Sequence, residues 1–153
     1  MREKCPAVII RAGQNLWEDV ECKRSMYLSK EAGLLRGSYW FYDSRANPKR
    51  QAEKWVSVLG NDIPEMEMWM DYEDNYGGQY GKLEDLYDFA ERLRNLLPSA
   101  KLGVYTGYYY WIDNISPSES YFAQYPLWIA AYGTDKPRIP PTWKDWLMWQ
   151  YTD

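Results

Sequence analysis

The stretch with residues placed for chemistry is Glu67-Met68-Trp69-Met70-Asp71-Tyr72-Glu73-Asp74, an apolar run that ends in carboxylates before the loop Asn75-Tyr76-Gly77-Gly78. If Trp69 to Glu73 is extended, side chains alternate between faces and Asp71 and Glu73 point the same way. At ~3.3 Å rise per residue their backbone positions stand about 6.6 Å apart. Two like charges at that spacing oppose each other's ionisation, so one of the pair should hold its proton to higher pH. That gives a carboxylic acid beside a carboxylate at neutral pH, a pair suited to general acid and base work. The plainer reading is a strand end with its acids turned to solvent.

Composition narrows the alternatives. With no histidine, Ser-His and Cys-His nucleophiles and the commonest metal ligand are absent, so any chemistry runs on carboxylates, tyrosines or backbone. No cofactor is implied. Aromatic residues make up 18% of the chain, with 9 Trp and 15 Tyr, more polar-tipped rings than a core accommodates easily. Rings lining an open groove suit the flat apolar faces of sugars. A net charge of −4 argues against a nucleic-acid groove. No apolar run reaches the ~20 residues of a membrane span, and the first residues lack the apolar core of a signal peptide. Cys5 and Cys22 do not make a disulfide framework; they read as two free thiols or a single pair.

The elements that must carry the acids follow from periodicity. Ala7–Ile10 is a short β-branched strand ending at Arg11, and residues 23–34 are helical up to Gly33. Gly37–Asp43 is a second strand, and Asn47-Pro48 opens a helix that runs to Gly60. The strand bearing Asp71 and Glu73 follows. Leu83, Leu86, Phe89, Ala90, Leu93 and Leu97 recur at helical spacing, and Pro98 closes that helix. Lys101–Thr106 is the next strand, and residues 107–124 are ambiguous, with short helices expected around Trp111 and after Ser116. Strands at 127–132 and 146–151 complete the chain, which reads as one domain, 1–153.

Alternating strands and helices imply an α/β fold with a largely parallel sheet. Most of the strands end in polar or aromatic groups: Arg11, Asp43, Asp71 with Glu73, Thr106, Tyr132 and Gln150. A (β/α) barrel gathers such ends on one face, whereas a doubly wound sheet gathers them at a switch point. With no Gly-x-Gly-x-x-Gly or phosphate loop, the barrel is the better fit.

Five segments, in order and spacing, resemble the glycoside hydrolase family 25 lysozymes, the muramidases of bacteria and phage endolysins. They are Val8-Ile9-Ile10-Arg11-Ala12-Gly13, Gly37-Ser38-Tyr39-Trp40-Phe41, Trp69-Met70-Asp71-Tyr72-Glu73-Asp74, Leu127-Trp128-Ile129-Ala130-Ala131-Tyr132 and Trp149-Gln150-Tyr151. The resemblance implies an irregular TIM-like barrel that cleaves the β-1,4 bond between N-acetylmuramic acid and N-acetylglucosamine in the glycan strands of peptidoglycan. It assigns Glu73 as proton donor and Asp71 as the stabilising carboxylate, with the substrate's acetamido oxygen as nucleophile. Arg11 falls at a basic or polar groove position. Tyr39, Phe41, Tyr105, Trp128 and Tyr132 fall at aromatic groove walls, and Gln150 at the end of the last strand. The resemblance also implies action at the bacterial cell wall, after lysis or a separate export route.

The family's opening strand, of the type Gly-Ile-Asp-Val-Ser with an Asp lining the groove, has no counterpart here, nor does its closing strand. The expected barrel therefore lacks both. The sequence is then a fragment, a barrel closed by self-association across its open edge, or a shortened barrel with reduced or no activity. Asp43 is either a stand-in for the lost Asp or a solvated strand-end acid. Arg11 is either a groove residue or an ion-pair partner of Asp71 or Asp43. An active muramidase, a non-catalytic peptidoglycan-binding barrel and a chitinase-like glycosidase all remain compatible with these residues.

Overall fold

The structure, a computed structural model, describes residues 6–73 and 76–153. Cys5 and Asp74 lie outside them, so the question of a Cys5–Cys22 pair does too; Cys22 is a buried thiol. Six strands run parallel, in chain order across the sheet: β1 (Ala7–Gln14), β3 (Leu35–Phe41), β4 (Met68–Tyr72), β5 (Leu102–Gly107), β6 (Leu127–Ala130) and β7 (Met148–Gln150). A two-residue strand, β2 (Trp17–Glu18), turns back antiparallel on the end of β1. No periodicity marks β2, which forms because Asn15 adopts a left-handed conformation (φ 55°) and reverses the chain.

Strand order that never reverses excludes a doubly wound sheet, which needs a switch point. Right-handed crossovers then put every helix on one side. These helices are α1 (Cys22–Glu31), α2 (Pro48–Leu59), α3 (Leu83–Leu96) and the short α4 (Tyr108–Asn114), followed by a 3-10 turn at Tyr121–Gln124. The expected elements are all present, including the two short helices in the ambiguous 107–124 region. Among the described residues the barrel is not closed, and β7 and the β1–β2 end are opposite edges of a seven-stranded half-barrel.

Alternation along the strands separates two faces. On the helix side, Trp40, Tyr42, Met70, Tyr72, Val104 and Ile129 are buried against the helical layer. Trp55 of α2 stacks between Trp40 and Phe89, with centroids 6.2 Å from each. Its indole N–H donates to Ser38 Oγ at 3.2 Å, so this buried ring has a partner for its polar edge. Leu86, Phe89 and Leu93, expected as packing, are all buried. Arg36, equally buried, is held by Glu65 and Asp62, so Asp62 is a structural acid.

The opposite face is the inner face of the half-barrel. Gly103 on β5 lies beside Trp69 on β4, and a Cβ there would meet the Trp69 ring at 2.5 Å. The missing side chain lets the indole lie flat on the sheet and form its floor.

Candidate active site

The inner face holds a cavity of about 290 Å³ at the C-terminal ends of the parallel strands, lined by Tyr39, Asp71, Glu73, Tyr105, Trp128 and Gln150. These come from β3, β4, β5, β6 and β7, brought together by the in-order register: Phe41 beside Asp71, Asp71 beside Tyr105, Tyr105 beside Trp128. Six of the ten residues singled out by sequence therefore share one space. Trp69 lies beneath them, with its ring 5.5 Å from that of Trp128 and edge to face. Trp128 meets Tyr105 the same way at 4.8 Å. Trp69 went unrecognised in the sequence, although its position two residues before Asp71 puts it on the same strand face.

The two carboxylates differ in exposure. Asp71 is 3% exposed, and its Oδ1 has no hydrogen-bond partner. Burial holds its pKa well above the usual 3.8, Glu73 pushes it further, and Arg11 opposes the rise. Glu73, one residue beyond β4, is exposed at the cavity mouth. Thr106 Oγ donates to the carbonyl of Tyr72 at 2.6 Å and fixes the strand end from which Glu73 projects. The upward direction expected from two neighbouring acids is the direction at Asp71, with desolvation leading and the like charge second. Tyr39 and Tyr105 are also pushed up by burial, and Tyr105 is further raised by Glu73 and by a side-chain hydrogen bond with Tyr132.

Four of the expected site residues lie away from the cavity lining. Tyr132 is 49% exposed and belongs to the rim, reaching the site through Tyr105 rather than forming a wall. Phe41 packs against Tyr76, centroids 6.0 Å apart. Arg11 donates from Nη2 to Gln14 Oε1 at 2.6 Å, lies over Trp17 and makes no ion pair with Asp71 or Asp43 among the described residues. Its Nε is buried without a partner.

Asp43 is neither solvated nor in the cavity. It is fully buried, and Arg45 donates to both of its oxygens, from Nε at 2.9 Å and Nη2 at 2.7 Å. Gln14 adds a bond at 3.3 Å. Burial would raise its pKa, but these bonds together with Asn15 hold it below the usual carboxylate range. Asp43 thus organises the rim. Ser44, beside it, accepts from Gly78 N at Oγ (3.0 Å) and from Tyr80 N at its carbonyl (2.8 Å). A Cβ at Gly78 would meet the Ser44 carbonyl at 2.2 Å, so glycine is what lets the loop after Glu73 close onto this segment. Sequence reasoning missed Arg45 and Tyr76, and the spacing Asp43-Ser44-Arg45 is the local signal that could have found the first.

Comparisons with known proteins agree with this geometry. The chain is 26% identical over 132 residues to the Escherichia coli K12 protein YegX, an alignment covering 85% of this chain and 46% of YegX. It thus spans about half the length of the curated relatives it matches. The lysozyme from Streptomyces coelicolor superposes with a TM-score of 0.76 at 21% identity, covering 94% of this chain and 71% of that one. The muramidase from Trichobolus zukalii gives 0.77 at 24% identity, with 95% and 75% covered. The catalytic domain of the endolysin ply40 from bacteriophage P40 of Listeria monocytogenes gives 0.76 at 20%, with 99% and 75% covered. At these identities the likeness is one of fold. The profile of glycosyl hydrolases family 25 matches residues 3–153, nearly the whole sequence, and the chain belongs to that family.

Proposed function

We propose that this chain is an N-acetylmuramidase, cleaving the β-1,4 bond between N-acetylmuramic acid and N-acetylglucosamine in peptidoglycan. The observation that carries the reading is the division of labour between two carboxylates on one aromatic-walled cavity: Asp71 sealed at its floor, Glu73 reachable at its mouth.

A glycosidic oxygen between two rings can approach Glu73 but not Asp71, so Glu73 is the proton donor. In the free protein burial disfavours the ionised form of Asp71. Substrate changes that balance. An acetamido N–H meeting the unpartnered Oδ1 of Asp71 favours its ionised form, and the resulting anion raises the proton affinity of Glu73. Glu73 then protonates the leaving oxygen as the acetamido carbonyl oxygen attacks the anomeric carbon. Asp71 stabilises the positive charge that develops on the acetamido group. Water, deprotonated by Glu73, opens the cyclic intermediate and restores both groups. Tyr39, Tyr105 and Trp128 offer ring faces to the sugars.

A second reading, a half-barrel that binds the glycan without turnover, is favoured by one feature: Arg11 on β1 has a buried Nε without a partner, and no carboxylate of β1 lines the cavity. Release of reducing ends from purified peptidoglycan, wild type beside Glu73→Gln, separates the two. A muramidase releases them and loses roughly 10²–10⁴-fold of the rate on substitution. Binding to the wall with no release by wild type establishes the second reading. Release from chitin oligosaccharides but not from peptidoglycan would mark a chitinase-like enzyme instead.

A further inference from the structure

Two arginines at this end of the sheet lie over tyrosine rings, each with its guanidinium carbon 4.1 Å from the ring centroid: Arg45 over Tyr76 and Arg138 over Tyr108. Both pairs follow the C-terminal ends of strands whose residues line the cavity. Arg45 and Tyr76 follow β3 and β4, while Tyr108 leaves β5 directly and Arg138 lies in the connection between β6 and β7. Tyr108 is three residues past Tyr105, which lines the cavity, and Tyr109 braces it edge to face at 5.2 Å.

Their charges are in opposite states. Arg45 is neutralised by two bonds to the buried Asp43. Arg138 is exposed and makes no ion pair among the described residues. Stacking on Tyr108 holds its planar group while its N–H edge stays open, an arrangement suited to a carboxylate. Glu73 and the net charge of −4 otherwise make this end of the molecule unfavourable for an anionic polymer. On the β5–β6 side, Arg138 is an unneutralised cation that answers that repulsion; Arg11, on β1, is turned to Gln14 and Trp17.

We propose that Arg138, stacked on Tyr108, is a subsite for a carboxylate borne by the 3-substituent of the muramyl residue. That acid is the lactyl group where the stem peptide is gone and a peptide carboxylate where it remains. The inference rests on the muramidase reading and adds a direction to it. Only one of the two alternating sugars is acidic, so unequal rims orient the strand, with the acidic residue toward β5–β6 and the neutral one toward β3.

The test compares wild type with Arg138→Gln and Arg138→Lys on three soluble ligands. These are peptide-bearing glycan fragments, the same fragments stripped to the lactyl acid, and neutral chitooligosaccharides, each measured for KM, kcat and binding by calorimetry. The expected result is a KM or Kd raised about 3–10-fold by Arg138→Gln for at least one acidic ligand, with kcat kept. Neutral ligands should be unaffected, and Arg138→Lys should recover part of the loss. Which acidic ligand responds tells lactyl from peptide recognition. Equal losses on acidic and neutral ligands, or no loss on either acidic one, overturn the subsite. Arg138-dependent binding without hydrolysis keeps the subsite and removes the hydrolase; hydrolysis indifferent to Arg138 does the reverse.

Discussion

Asp43 and Asp71 stand at the ends of adjacent parallel strands, both nearly inaccessible to water, at 0% and 3% exposure. Yet the pKa of one is lowered and that of the other raised. Burial raises both; the difference lies in partners. Asp43 accepts from the side chains of Arg45 and Gln14 and from the backbone of Arg45, whereas Asp71 keeps an oxygen with nothing to bond. A satisfied carboxylate organises its surroundings, and an unsatisfied one is left available to a ligand. The acid that resembles a catalytic residue by position alone, Asp43, is the one already fully engaged.

Three substitutions test that contrast. Asp71→Asn should give the largest effect, a loss of roughly 10²–10³-fold in kcat on peptidoglycan. The same variant should be more stable than wild type at pH 8, by on the order of 1 kcal/mol in urea unfolding. The sign follows from a raised pKa: the neutral form is the one folding favours, so wild-type stability falls as pH climbs from the unfolded value toward the folded one. Below about pH 4 the gain should vanish, since side chain 71 is then uncharged in both proteins. Equal stability of the two proteins at pH 8 would mean that Asp71 is not desolvated.

Arg45→Met should act in the opposite sense. Breaking a buried pair costs about 3–5 kcal/mol, but the Arg45 side chain is 53% exposed and partly screened, so a loss near 2 kcal/mol is expected at pH 7. The lowered pKa of Asp43 contributes stability above its unfolded value, lost as pH falls through the folded one. The deficit of the variant should therefore shrink on acidification. A deficit independent of pH would locate the role of Arg45 in packing over Tyr76 instead. Gln14→Leu is the mildest, removing a 3.3 Å bond and freeing Arg11 for a cost of about 0.5–1 kcal/mol. An effect as large as that of Arg45→Met would make Gln14 an equal partner of Asp43.

The sheet was legible because its alternation is regular: apolar rings under the helices, polar and aromatic groups at strand ends. The Asp71-x-Glu73 spacing alone puts two acids on one face, and the register then carries Tyr39, Tyr105, Trp128 and Gln150 to them. Which acid keeps the proton was not legible, since that depends on how far each lies beneath neighbouring loops. The role of Asp43 was hidden for the same reason, because a strand-end acid looks alike whether it meets water or a guanidinium two residues on. Strand β2 escaped because two residues carry no periodicity. Among the described residues the strands keep the order expected of a barrel and form a half-barrel with two open edges.

The flat contact of Trp69 on Gly103 ties two positions into a single unit of variation. Any side chain at 103 must push the indole upward into the cavity or be accompanied by a smaller residue at 69. A lineage that drifts at one position must drift at the other, and the depth of the sugar-binding space drifts with them. Paired libraries at 69 and 103 should therefore yield cavities of graded depth, whereas single changes at 103 should mostly fail to fold.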